Sequence, residues 1–220
     1  MDTEKLIALH PVLFHMADAR NWASIQEHGL LSTSALLGLY EVQGPERQAI
    51  ESARRPAMVT ISSAQGNAYV RDQHPLQMSA LASCLDGMSP QEWLRLLNGR
   101  VFFWPTRERM EKMLAVYQHD EQAVFEVDTR LLLECYGPSV ELSRINSGFA
   151  STRYQAARRG HSTFVPLADF AFSSKNKIAE VTVPRAVPDI FSLTIRVFER
   201  RKGHQERLLW QEPASSNRSP

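Results

Sequence analysis

The chain has 220 residues, 43% hydrophobic and 22% charged, with a formal net charge of +1. These are ordinary globular proportions, enough for one domain with a core, and the near-neutral total leaves any argument about partners to local charge. Two cysteines, Cys84 and Cys135, without CxxC spacing, exclude a disulfide scaffold and speak against a zinc site; no apolar run resembles a signal core or a membrane span, which predicts a cytoplasmic protein.

In chain order, Val12–Met16 reads as a short buried strand. A helical pattern follows from Asn21, with Trp22 and Ile25 on one face and Gly29 as its stop. Residues 43–56 are polar, punctuated by Pro45 and Pro56, and read as a surface excursion with a short helix; Ala57–Ile61 reads as a strand. Ser89, Pro90 and Glu92 form a capping-box helix start, and Asn98-Gly99 ends that helix. Val101–Trp104 predicts a buried strand broken by Pro105, with Thr106 capping a helix through Met110, Met113, Leu114 and Tyr117. Ala123–Val127 predicts a strand and Thr129–Cys135 a helix ended by Gly137. Residues 146–176 show little periodicity; Ile178–Val183 and Ile190–Phe198 read as the last strands. The alternation predicts mixed α+β packing without a linker: one domain over residues 1–211, elaborated around 43–100, and a disordered tail over 212–220.

Three segments carry polar chemistry at element ends. His15 closes a strand just before Asn21, where its ring nitrogens can reach a cleft; a satisfied core histidine and a helix cap are the commoner outcome. Arg107 lies where the Phe102-Phe103-Trp104 strand gives way to a helix N-terminus, a place suited to anions, with core packing and a solvated arginine as the alternative. Glu180 interrupts an apolar strand and shares a face with Ile178 and Thr182, which taken alone predicts an exposed strand face.

Taken in order, these segments resemble the DarT-type ADP-ribosyltransferases. Phe14-His15-Met16-Ala17 with Asn21-Trp22 is similar to that family's strand Tyr-His-Met/Ile-Thr followed by Asn-Leu. Phe103-Trp104-Pro105-Thr106-Arg107-Glu108-Arg109-Met110 resembles its Tyr-Phe-x-Pro-Arg-x-x-Met, with the proline one residue further from the arginine. Ala179-Glu180-Val181-Thr182-Val183 and Val187-Pro188 resemble its closing strand. Ala17 and Trp22 depart from the pattern, and residues 43–100 have no counterpart in it.

The resemblance implies an ADP-ribosyltransferase-like fold, with mixed, mostly antiparallel strands forming a split sheet core and flanking helices. It implies NAD as a consumed co-substrate with no metal. It casts Glu180 as the carboxylate under the oxocarbenium-like ribose carbon. His15 and Asn21 would hold the dinucleotide, Arg107 would face the pyrophosphate or the acceptor, and Phe103 or Trp104 would border the nicotinamide. No glycine fingerprint of a Rossmann unit is present, which disfavours hydride transfer.

The implied acceptor is DNA or RNA, met by the segment before Glu180. Over residues 142–179, Arg144, Arg153, Arg158, Arg159, Lys175 and Lys177 stand against Asp169 alone, interleaved with Tyr154, Phe164, Phe170 and Phe172. Arg153, Arg158 and Arg159 are the expected nucleic-acid contacts, since cations beside aromatics suit a single strand. An antitoxin or immunity partner follows from the resemblance only, and no membrane partner is expected. The rival readings are an NAD-dependent RNA 2′-phosphotransferase, a module that binds NAD, ADP-ribose or nucleic acid without turnover, and an interaction protein whose motifs are structural.

Overall fold

A computed structural model describes residues 2–173, 177–201 and 203–213. The chain opens with α1 (Asp2–Leu9), β1 (Val12–Asp18), α2 (Trp22–His28) and β2 (Leu30–Leu31). Next come α3 (Thr33–Leu39), α4 (Gly44–Glu51), the hairpin β3 (Val59–Ser63) and β4 (Gly66–Val70), α5 (Met78–Cys84), β5 (Leu85–Asp86) and α6 (Pro90–Asn98). The middle holds β6 (Arg100–Phe103), α7 (Arg107–Val116), β7 (Gln122–Asp128), α8 (Thr129–Tyr136), β8 (Glu141–Ser143), β9 (Arg159–Gly160) and β10 (Val165–Pro166). The last elements are β11 (Glu180–Pro184), β12 (Ala186–Val187), α9 (Ile190–Leu193), β13 (Thr194–Arg200) and β14 (Arg207–Gln211). The fold is mixed α+β.

Two four-stranded antiparallel sheets organise the chain, one ordered β1-β7-β13-β14 and the other β10-β8-β11-β6. β7 is the central strand of the first, and all but its last residue is buried. It is covered on both faces: Phe125 and Val127 join the main core with Leu13, Phe103 and Val181, while Val124 joins Phe14, Met16, Met110 and Phe198. Burying each large side chain contributes roughly 1.5–3 kcal/mol.

The cap residues act as their chemistry predicts. Ser89 and Glu92 make a reciprocal capping box, and the Thr106 hydroxyl accepts from the Arg109 N–H. Gly29 closes α2 at φ +70°, and a Cβ there would stand 2.3 Å from the Pro188 carbonyl oxygen, so only glycine fits. Ile190–Leu193, expected as strand, is a helical turn. Its run is too short for periodicity to arbitrate, and the Ser192 N–H bonds the Asp189 carbonyl while the Thr194 hydroxyl bonds that of Ile190. The expected disordered tail begins at described residues 212 and 213; residues 214–220 lie outside the described residues.

The elaboration over residues 43–100, of which 43–56 was expected as a surface excursion, contributes to two small cores. Leu37, Tyr40, Val42, Ile50, Ile61, Ala68 and Val70 form one small core, and Leu76, Leu81, Trp93, Leu94 and Leu97 form another with Ala150 and Phe164. The β3–β4 hairpin is moored to the rest through Asn21. Its Nδ2 donates to the Tyr69 carbonyl and its Oδ1 accepts from the Tyr69 N–H, both at 2.9 Å, so one side chain stands in for a strand partner. Asn21→Ala leaves two backbone groups of β4 without that partner and should destabilise the protein by about 1–3 kcal/mol. Chemical denaturation measures this; unchanged stability would contradict the mooring role.

Candidate functional site

The two sheets touch at one backbone rung. Phe14 on β1 and Trp104 just past β6 exchange N–H to carbonyl bonds of 2.9 and 2.7 Å. An antiparallel ladder in this register would next pair Met16 with Phe102, but that rung is not formed among the described residues. The His15 ring takes its place: Nδ1 lies 2.8 Å from the Phe102 carbonyl oxygen. A carbonyl only accepts, so the proton is on Nδ1 and Nε2 carries a lone pair. A cleft of about 450 Å³ opens where the strands part, and His15, Met16, Phe102 and Trp104 line it.

Glu180 meets the same cleft from the other sheet. It opens β11 opposite Ser143 and is 6% exposed, not the exposed face that alternation alone suggests. Its Oε1 accepts the Ser147 N–H at 3.0 Å, while its Oε2, like the Ser147 hydroxyl, is buried with no hydrogen-bond partner among the described residues. Burial pushes its carboxyl up to about 7, against the opposing influence of Ser147 and the positive charges of Arg109 and Arg159. Burial depresses His15 to about 4, helped by Arg71 and opposed by the Phe102 carbonyl, so the imidazole is neutral at pH 7. An acceptor nitrogen and a carboxylate poised near neutrality thus face one space.

The loop that holds Glu180 is itself fixed by Arg159. This arginine is 4% exposed, and its Nη1 donates to the Ser147 and Phe149 carbonyls, both at 3.0 Å. It is therefore a strut inside the fold and not the solvent-facing nucleic-acid contact expected from sequence. Arg158 is exposed but pairs with Asp86 at 3.2 Å, and Arg153 is exposed beside Tyr154, which is 68% exposed. Arg144 covers the Phe170 ring, and Lys175 of the expected basic segment lies outside the described residues.

Three other expected site residues fall outside the cleft lining. Both polar ends of the Asn21 side chain are committed to Tyr69. Phe103 is fully buried among Leu13, Phe125 and Val181, while strand alternation turns its neighbours Phe102 and Trp104 to the cleft. Arg107 pairs with Glu126 and lies over the Phe14 and Phe198 rings. Two residues on, roughly 200° around the helix, Arg109 lines the cleft with Lys112, Met113 and Val116. The Arg109 guanidinium has no ion pair or side-chain hydrogen bond among the described residues.

Further polar groups line the cleft without a sign in the sequence. Arg55, Arg71 and Asn98, all within or beside the elaboration, line the cleft, as do Asn146 and Ser147 from the loop before Glu180. The spacing of Arg109, Met113 and Val116 puts them on one face of α7, a legible sign for Arg109, whereas Arg55, Arg71 and Asn98 carry no such local sign. Among the described residues, no group of three His, Cys, Asp or Glu side chains is arranged to hold a metal ion, and no helix is long and apolar enough to cross a membrane.

No curated protein matches this chain. A family model described as a family of unknown function, DUF7002, matches residues 11–194, a span that takes in both His15 and Glu180. The chain belongs to the DUF7002 family.

Proposed function

We propose that the cleft binds NAD and transfers its ADP-ribose, with release of nicotinamide, to a nucleic-acid acceptor. The observation that carries this reading is the Glu180 carboxylate. One oxygen is held by Ser147, the other is buried and unpartnered, and the group opens on a cleft that His15 bounds from the other sheet. Burying a carboxylate without full partnering costs stability, and such a cost is retained where chemistry uses the charge. The cleft volume lies within the roughly 300–1,000 Å³ usual for small-molecule sites. Two antiparallel sheets joined at a single rung fit the split sheet core of the ADP-ribosyltransferases.

In this reading the glycosidic bond to nicotinamide breaks, the pyridine nitrogen leaves with the electron pair, and positive charge develops on the ribose carbon. Ionised Glu180 stabilises that charge. The acceptor's nucleophile forms the new bond to the same carbon, and its proton passes to the Glu180 carboxylate, whose value near 7 suits a general base. Neutral His15 offers Nε2 as an acceptor for a ribose hydroxyl, and Phe102 or Trp104 replaces Phe103 as the ring beside the nicotinamide. Arg109 takes the place in the cleft first given to Arg107.

The number of arginines facing the cleft favours a second reading, an NAD-dependent RNA 2′-phosphotransferase, which needs several phosphate-binding residues around its site. Incubating the protein with adenine-labelled NAD and separate pools of DNA, RNA, 2′-phosphorylated RNA and protein distinguishes these outcomes. Label on DNA or RNA supports the first, loss of the 2′-phosphate supports the second, and nicotinamide release without a labelled pool indicates a glycohydrolase. No nicotinamide release in any pool removes the enzymatic reading.

Glu180→Gln should lower turnover at saturating NAD on the order of a hundredfold or more while changing NAD affinity little, because the lost interaction is strongest at the transition state. Nearly full turnover in the folded variant would overturn the assignment.

The same substitution should act on stability in a pH-dependent way. The folded protein holds the Glu180 proton more tightly than the unfolded chain, so the folded state loses stability as pH rises from the ordinary carboxylate range through about 7. Gln carries no such penalty, so thermal melts should show its advantage over wild type growing from pH 5 to pH 8. His15 contributes the opposite slope: its depressed folded value removes stability as pH falls from about 6.5 toward 4. A difference between wild type and Glu180→Gln that stays flat across this range would contradict the burial of an ionisable group at 180.

A further inference from the structure

We propose that Arg71, backed by Arg55, forms a phosphoryl-anion subsite where the elaboration lines the cleft shared with His15 and Glu180. Two half-buried or buried guanidiniums here have no carboxylate within ion-pair distance among the described residues. Arg71 donates to the Gln122 side-chain carbonyl and lies over the Tyr117 ring at 4.4 Å. Those contacts use Nη2 and one face of the ion. Its Nε and Nη1 have no hydrogen-bond partner among the described residues, and the residue lines the cleft. Nε and Nη1 point to opposite sides of the ion, and each forms a fork with the Nη2 hydrogen on its own side; Gln122 takes one of those two hydrogens, which leaves one fork for two oxygens of a phosphoryl group.

Arg55 fixes this fork from behind. It is 6% exposed, and its Nε donates to the Arg71 carbonyl at 2.9 Å, its Nη1 to the Ile50 carbonyl and its Nη2 to the Asn98 Oδ1 at 3.1 Å. All three acceptors are neutral, so no ion pair cancels the charge of Arg55, which adds to that of Arg71; Asp72 acts on both at longer range, and Asp18 and Asp120 on Arg71. Burial depresses both, Arg55 to about 10, which leaves them cationic at neutral pH. Asp72, beside them on the cleft, moderates the field, and its Oδ1 accepts from the His74 N–H at 2.7 Å and from the Tyr117 hydroxyl at 3.5 Å. Holding two cations without an ion-pair partner beside a cavity costs desolvation energy, and an anion in that cavity offsets it.

The subsite deepens the reading of the cleft as an NAD site and rests on it for the molecule that brings the phosphate, either the dinucleotide's pyrophosphate or the acceptor's backbone. The anion chemistry itself is tested without turnover. Calorimetry with inorganic pyrophosphate on the full chain should show binding that weakens as salt rises. Arg71→Gln should weaken it about tenfold or more, and Arg71→Lys by less, because lysine keeps the charge and loses the fork. Should Arg71→Gln fail to fold, the Arg71→Lys loss relative to wild type, read at matched thermal stability, carries the same test. No pyrophosphate binding by the wild type, or equal binding by wild type and the folded variants, overturns the subsite.

NAD and a single-stranded oligonucleotide then identify the source. A loss confined to NAD places the dinucleotide's pyrophosphate on Arg71, and a loss confined to the oligonucleotide places the acceptor there. Pyrophosphate binding that depends on Arg71 in a protein that releases no nicotinamide retains the subsite and removes the transferase reading alone.

Discussion

The Phe14–Trp104 rung is the constraint on which the cleft depends. Backbone groups in a sheet interior must be paired, and pairing normally propagates along both strands. Here it stops after one rung because the His15 imidazole occupies the Phe102 carbonyl that the next rung would use. That single bond satisfies an acceptor, sets the tautomer and turns Nε2 outward. It also lets β1 stay in register with β7 while β6 stays in register with β11, so the two sheets part at one defined point.

Several polar groups of the cleft carry a folding cost that packing elsewhere offsets. Glu180 keeps one oxygen without a partner, and Arg55 and Arg71 keep their charges without carboxylates. The dense apolar layers around Phe103, Phe125 and Val181 supply the opposing stabilisation. A site in which an acid sits near neutrality, a histidine stays uncharged and two arginines stay charged requires a different environment for each group. The cleft provides this by drawing its walls from two sheets, one helix and one insertion.

Much of the framework was legible in the sequence, because its signals are local. The Ser89-Pro90-Gln91-Glu92 box, the Thr106 cap, Gly29 and the apolar strands around His15, Phe103 and Phe125 each act within a few residues. Glu180 was legible as an exception inside an apolar strand and His15 as a polar group at a strand end, each singled out through the resemblance, and both line one cleft. The remaining polar groups were not, since an arginine's sequence neighbours do not show whether it is buried. Arg55 sits in a charged run next to Pro56 and reads as solvated, whereas its acceptors come from Ile50, Arg71 and Asn98. Arg159 likewise reads as part of a basic patch, and its burial depends on carbonyls at Ser147 and Phe149. Asn21 was legible as a polar group at a helix start, but its partner, Tyr69, lies 48 residues away.

These long-range bonds give the elaboration a role beyond size. Asn21 ties β4 to the helix that follows the His15 strand, and Arg71 leaves β4 two residues after Tyr69. Arg55 then joins α4, the end of β4 and α6 through three acceptors on one guanidinium, while Asn98 donates to the Glu51 carbonyl and closes the circuit. The part of the cleft lined by Arg55 and Arg71 therefore takes shape only when the elaboration is folded and moored at the start of α2. Its cations cannot be placed by the two-sheet framework alone, so the electrostatics of the cleft depend on the part of the chain that the ADP-ribosyltransferase pattern does not contain.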